Sequence, residues 1–134
     1  MNDSQTILLV DDSEDSLFLI REAFKMAQRN NPLQEAHNGE EAIAIFKASM
    51  EAHKPFSIAI MDLVIPGAMG GIEAARHILD LAPRTRLIAT SGYSNDPAIA
   101  EHTTYGFCDA IIKPYSTDEL NRILQRALLD NSCQ

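Results

Sequence analysis

The chain is short of positive charge: 11 lysines and arginines face 19 aspartates and glutamates, for a formal net charge of −8. That deficit argues against binding a nucleic-acid backbone or an anionic membrane as the main activity, and it leaves a surface suited to cations. Cysteine is scarce too. Cys108 and Cys133 have no motif spacing, so neither a disulfide framework nor a zinc site is expected, and a reducing cytoplasm is the natural home. The opening Met1–Thr6 lacks the basic-then-apolar pattern of a signal peptide, and no apolar run approaches membrane-spanning length, so neither export nor anchoring is expected. There is no linker, low-complexity tract or fixed-period repeat. His37, His53, His77 and His102 have no metal-ligand spacing and read as surface or packing residues. What is left, 134 residues at 46% hydrophobic content, fits one domain spanning 1–134 with a packed core over about residues 6–129.

Five short apolar runs alternate with amphipathic stretches. Thr6–Val10 reads as a strand buried on both faces and closed by Asp11, Asp12 and Ser13. Ser13 then caps a helix whose apolar positions are Leu17, Ile20, Phe24 and Ala27, ended by Asn30-Asn31-Pro32. Leu33–Ala36 is short and polar enough for a sheet edge, and Asn38 with Glu41 forms a capping box for a second helix buried through Ala42, Ile45, Phe46, Ser49 and Met50. Ile58–Asp62 is a third strand ending in an acid. A Pro66–Gly71 loop follows, then a helix expected to turn Ile72, Ala75 and Leu79 inward. Arg86–Thr90 stops at Ser91-Gly92. Asp96-Pro97 starts a short helix predicted to reach about Tyr105. Asp109–Lys113 is blocked by Pro114, and Ser116 with Glu119 opens a last helix striped by Leu120, Ile123, Leu124, Ala127 and Leu128.

This alternation predicts an α/β sandwich: a five-stranded parallel sheet covered by five helices. In such sheets the ligand crevice lies at the carboxyl ends of the strands, which here bring together Asp11, Asp12, Asp62, Thr90, Ser91 and Lys113. Three carboxylates in one crevice repel one another unless a cation sits among them. With no histidine or cysteine nearby, all-oxygen ligation points to Mg²⁺, which takes one or two carboxylates plus a phosphate. A carboxylate, a metal, a hydroxyl and a lysine together match the needs of phosphoryl transfer, with Asp62 as the nucleophile.

Asp11-Asp12, Met61-Asp62 with Pro66, Ser91-Gly92 and Lys113-Pro114-Tyr115 resemble, in order, the receiver domains of two-component response regulators, over nearly the whole chain. The resemblance implies a flavodoxin-like doubly wound (βα)5 fold with strand order 2-1-3-4-5. It also implies Asp62 as phosphoacceptor, Asp12 as a direct Mg²⁺ ligand, Asp11 as an indirect one that acts from behind the direct ligands or through a bound water, the main-chain carbonyl of Val64 as a further ligand, and Ser91 and Lys113 on the phosphoryl oxygens. Strand alternation lets only one of Thr90 and Ser91 face the crevice, and the family pattern favours Ser91. The expected donor is a sensor histidine kinase or histidine phosphotransfer protein. The protein would not be an enzyme beyond its own phosphorylation and dephosphorylation.

Three departures from the family pattern bear on function. The Pro66–Gly71 loop carries Gly70 where an acid usually stands and, with Ser91–Pro97, is similar to receivers of hybrid sensor kinases. Ala110 occupies the position of an aromatic switch residue, leaving Tyr105 or Tyr115 to serve if one is used. Val64 and Tyr93 flank the phosphoryl site and are expected to exclude attacking water and prolong phosphorylation. No output domain is expected within this length, so the signal would leave by protein contact, with Phe18 and Leu19 on the first helix and Pro114-Tyr115 as the docking region. The fourth helix, fifth strand and fifth helix form the family's usual output or homodimer surface. The rivals are a non-phosphorylated adaptor and an aspartyl-phosphate phosphatase, the latter disfavoured by Val64 where a second acid would be needed.

Overall fold

The computed structural model describes residues 5–92 and 96–129. Its element order is β1 (Ile7–Val10), α1 (Glu14–Met26), β2 (Leu33–Ala36), α2 (Gly39–Glu51), β3 (Ile58–Asp62), α3 (Gly71–Leu81), β4 (Arg86–Ser91), α4 (Pro97–Ala100), β5 (Asp109–Ile112) and α5 (Thr117–Leu129). All four strand pairings are parallel and the sheet order is β2-β1-β3-β4-β5, as the sequence pattern and the resemblance imply. Strict alternation along the central strands sends side chains to two cores. Leu8, Val10, Ala59, Met61, Leu87 and Ala89 pack with α2, α3 and α4 on one face, and Ile7, Leu9, Ile58, Ile60 and Ile88 pack with α1 and α5 on the other. Among the described residues no helix is long and apolar enough to cross a membrane.

Local chemistry sets the helix starts. Ser13 Oγ accepts the Ser16 N–H at 3.3 Å, Asn38 Oδ1 accepts the Glu41 N–H at 2.7 Å, and Asp96 caps α4 through the Ala98 N–H with Pro97 at the first turn. The last helix has the full reciprocal box: Ser116 Oγ accepts from the Glu119 N–H, and Glu119 Oε1 accepts from the Ser116 N–H. At α2 the returning Glu41 carboxylate takes the N–H of His37, one residue before the cap.

Three expectations need correction. α3 buries Gly71, Ala74, Ala75 and Ile78, with Ile72 and Leu79 only half-buried; small residues let it sit close to α2 and to the end of β3, which rotates the inward face. α4 is a single turn. Beyond Ala100 the chain proceeds through tight turns, Thr104 to Glu101, Tyr105 to His102 and Gly106 to Thr103, because a Thr-Thr-Tyr run is a poor helix former and Gly106 takes a positive φ of 90°. Cys108, expected as a free thiol, is disulfide-bonded.

Candidate phosphoacceptor site

Because the strands run parallel, their last residues reach one edge. The connections from β1 to β2 and from β2 to β3 lead to opposite sides of β1, so the flanking helices diverge there and open a crevice at the β1–β3 edge. Asp11 follows β1, Asp62 ends β3, Ser91 ends β4 and Lys113 follows β5. Two backbone bonds hold these ends in place: Leu63 N–H to the Thr90 carbonyl at 2.9 Å, and Lys113 N–H to the Ser91 carbonyl at 2.8 Å. The Lys113–Pro114 peptide is cis.

The centre is a shared cation. Lys113 Nζ donates to Asp11 Oδ2 at 2.8 Å and to Asp62 Oδ2 at 2.9 Å. The other oxygen of each acid takes a backbone donor, Ser13 N–H to Asp11 Oδ1 at 2.9 Å and Val64 N–H to Asp62 Oδ1 at 3.1 Å. Asp11 and Asp62 are buried and Asp12 is exposed, yet all three acids offer an oxygen within 4.8 Å of the others. Burial pushes the Asp62 carboxyl above its ordinary range, with Asp11 adding to the effect, while the Lys113 and Val64 donors only partly oppose it. Lys113 also loses solvation, which works to lower its pKa, but the bonds to Asp11 and Asp62 outweigh that and hold it above its usual value. One ammonium is divided between two acids, so the lysine stays charged while Asp62 remains under-compensated.

The last two residues of β4 separate in role. Thr90 turns its hydroxyl toward the Met61 carbonyl on β3 at 3.5 Å, and Ser91 is fully buried at the strand end. Val64 reaches Asp62 through its N–H, and the residue as a whole is 56% exposed. Tyr93 lies outside the described residues. Tyr105 is exposed after α4, whereas Tyr115 packs against the α1–α5 core. The Tyr115 hydroxyl is buried without a hydrogen-bond partner among the described residues, and burial pushes it up to about 12.

One positioning residue was missed from sequence. A Cβ at Gly71 would lie 2.5 Å from the Asp62 carbonyl oxygen and 2.7 Å from the Leu63 Cα, and the Gly71 N–H bonds the Leu63 carbonyl at 3.2 Å. Only glycine lets α3 approach the strand end that carries Asp62. The Gly70-Gly71 pair was the available signal.

The donor set is hard oxygen throughout, and three carboxylates around a single ammonium leave negative charge uncompensated, so the residues fit a divalent cation such as Mg²⁺. The family model described as "Response regulator receiver domain" matches residues 7–125. The chain is similar to the two-component response regulator ORR41 of Oryza sativa subsp. japonica, 32% identical over 90% of this chain and 91% of that protein. It is also similar to the regulatory protein AtoC of Escherichia coli K12, 33% identical over 91% of this chain but only 25% of AtoC, so the chain spans about a quarter of that relative's length. In fold it resembles the receiver domain of a sensor histidine kinase from Pseudomonas aeruginosa, solved with a magnesium ion in its active-site cleft, at a TM-score of 0.77 and 24% identity over 93% of this chain and 98% of that one. With a family match across nearly its whole length and the family's strand order, the chain belongs to the response regulator receiver domain family.

Proposed function

We propose that this receiver accepts a phosphoryl group on Asp62 from a phosphohistidine of a sensor kinase or histidine phosphotransfer protein. The observation that carries the reading is the Lys113 ammonium shared by Asp11 and Asp62 at the crevice floor, with Asp12 beside them. An Asp62 carboxylate oxygen forms the new O–P bond as the P–N bond breaks, and the bonding pair returns to the donor imidazole. Asp11, Asp12 and Asp62, with the Val64 carbonyl, would hold Mg²⁺, which neutralises charge building on the phosphoryl oxygens. Lys113 then has a reason to leave its acids: a phosphoryl oxygen offers a more highly charged partner. Ser91, at the end of β4, supplies a hydroxyl to another oxygen.

The exposed Phe18 and Leu19 on α1 offer the donor an apolar docking surface beyond the core face. Output would leave by protein contact, with the face of α4, β5 and α5, where Ile112 is exposed, as the surface for a downstream partner or a second copy. Residues 1–134 act as one receiver unit in the cytoplasm. Val64, together with Tyr93, restricts water at the phosphoryl group and lengthens the life of phospho-Asp62.

The test is incubation with acetyl phosphate and Mg²⁺, read by intact mass. One phosphate adduct, lost with Asp62→Asn and with chelator, supports the proposal. No adduct in the wild type would leave the receiver-like adaptor as the better reading, and multiple turnover of phosphate esters would favour a phosphatase.

A further inference from the structure

The opposite edge of the sheet carries a cavity that phosphoryl transfer does not use. It lies where the chain enters β3 and β4, has a volume of about 740 Å³, and is walled by Met50 from α2, Pro55, Phe56 and Ser57 ahead of β3, and Ala82 to Thr85 ahead of β4. That volume falls within the ordinary range for small-molecule sites. The walls are fixed by structure that the fold already needs. Thr85 Oγ1 donates to the Phe56 carbonyl at 2.9 Å, the Arg86 N–H donates to the Ser57 carbonyl at 3.0 Å, and the Phe56 ring packs on Phe46 with centroids 5.0 Å apart.

Its chemistry differs from that of the rest of the molecule. The chain carries a net charge of −8, yet the cavity lining has no acid and two arginines, Arg84 and Arg86. Arg86 is committed, donating to the Ala127 carbonyl at 2.7 Å. Arg84 is exposed and makes no ion pair among the described residues, so its guanidinium is available to a ligand at the rim. At the cavity edge the side-chain oxygen of Gln5 is buried without a hydrogen-bond partner among the described residues, an acceptor left open toward a ligand. Between these polar points the surface is Met50, Pro55, Phe56, Ala82 and Pro83, which suits a flat apolar body.

From this combination we propose that the cavity binds a small aromatic carboxylate: the ring system lies against Phe56, Met50 and the prolines, the carboxylate pairs with Arg84, and a donor group on the ring meets Gln5. The site stands at the start of β3, and the Asp62 carboxylate at its end, so the two are separated by the length of that strand, about 17 Å. Binding is therefore independent of phosphorylation in its chemistry and does not rest on the function proposed for Asp62.

The probe is 6-hydroxy-2-naphthoate, titrated into the ¹⁵N-labelled full chain, with neutral 6-hydroxymethyl-2-naphthol as its uncharged counterpart. Saturable shifts at the Ser57, Arg84 and Thr85 amides, affinity about tenfold weaker in Arg84→Ala, and a similar loss for the neutral probe are expected from removing one charge-assisted contact. Arg84 is exposed, so its substitution leaves the fold intact, and an unchanged far-field spectrum checks this. Absence of saturable shifts at those amides overturns the proposal, as does equal binding to Arg84→Glu or equal binding of the neutral probe.

Discussion

Lys113→Met should be among the most destabilising single changes at the site, and its cost should depend on pH. The substitution keeps the apolar stem and removes only the ammonium. It leaves Asp11 and Asp62, whose side chains are 4% and 10% exposed, facing each other without their common partner. Breaking a fully buried pair costs about 3–5 kcal/mol. Here the lysine is 22% exposed and water reaches the rim, so about 2–3 kcal/mol is the expected loss near neutral pH. At a urea dependence of about 2 kcal/mol per molar, the unfolding midpoint falls by about 1–1.5 M. The pH dependence follows from linkage. Asp62 is already held above its unfolded value, and losing the lysine raises it further. A group whose folded pKa is raised contributes stability that is fully present below the unfolded value, 3.8, and is lost as pH rises through the folded one. The gap between variant and wild type should therefore be widest near neutrality and close as the pH falls toward 4, followed by urea melts in chelator across that range. Added Mg²⁺ should narrow the neutral-pH gap, because a bound cation replaces the missing charge. A variant as stable as the wild type at pH 7 in chelator would refute the claim that Lys113 compensates two buried acids.

Asp62→Asn should raise stability near neutral pH and flatten the acid limb of the stability profile, because it removes the group whose burial opposes ionisation; equilibrium urea unfolding in chelator at a series of pH values checks both. Gly71→Ala should cost about 1–3 kcal/mol, since its methyl meets backbone rather than a yielding side chain, and it should slow phosphorylation of Asp62 by shifting the β3 end; urea melts and acetyl phosphate kinetics measure the two effects. Asn38→Ala should cost about 1 kcal/mol by orphaning the Glu41 N–H, with no effect on the phosphate adduct yield, read by thermal unfolding and intact mass. Val64→Ala should shorten the lifetime of phospho-Asp62 in Mg²⁺ several-fold if its side chain restricts water, as followed by adduct decay after donor removal.

The sheet and its edge were legible because chemistry constrains them twice. A strand buried on both faces must be apolar throughout, and the residue that ends it is exposed to the crevice, so Val10-Asp11, Met61-Asp62 and Ile112-Lys113 mark both the boundaries and the site. Helix starts were legible for a similar reason: an N-cap needs a side-chain oxygen at one position, which Ser13, Asn38, Asp96 and Ser116 supply. What was not legible depends on distance between elements. The inward face of α3 is set by how close Gly71 and Ala74 let it come, and periodicity alone assigned that face to the larger Ile72 and Leu79. The single turn of α4 reflects weak local propensity that the Asp96-Pro97 start signal concealed. The cavity under β3 and β4 was invisible for a third reason. Its walls come from segments separated in sequence, from Gln5 through Pro55 to Arg84, and no local pattern records that they meet. The same limit applies to Lys113. Sequence could place the lysine at the strand end, but only the folded sheet brings its ammonium within hydrogen-bonding distance of both Asp11 and Asp62, across 102 and 51 residues, which makes one charge serve two acids.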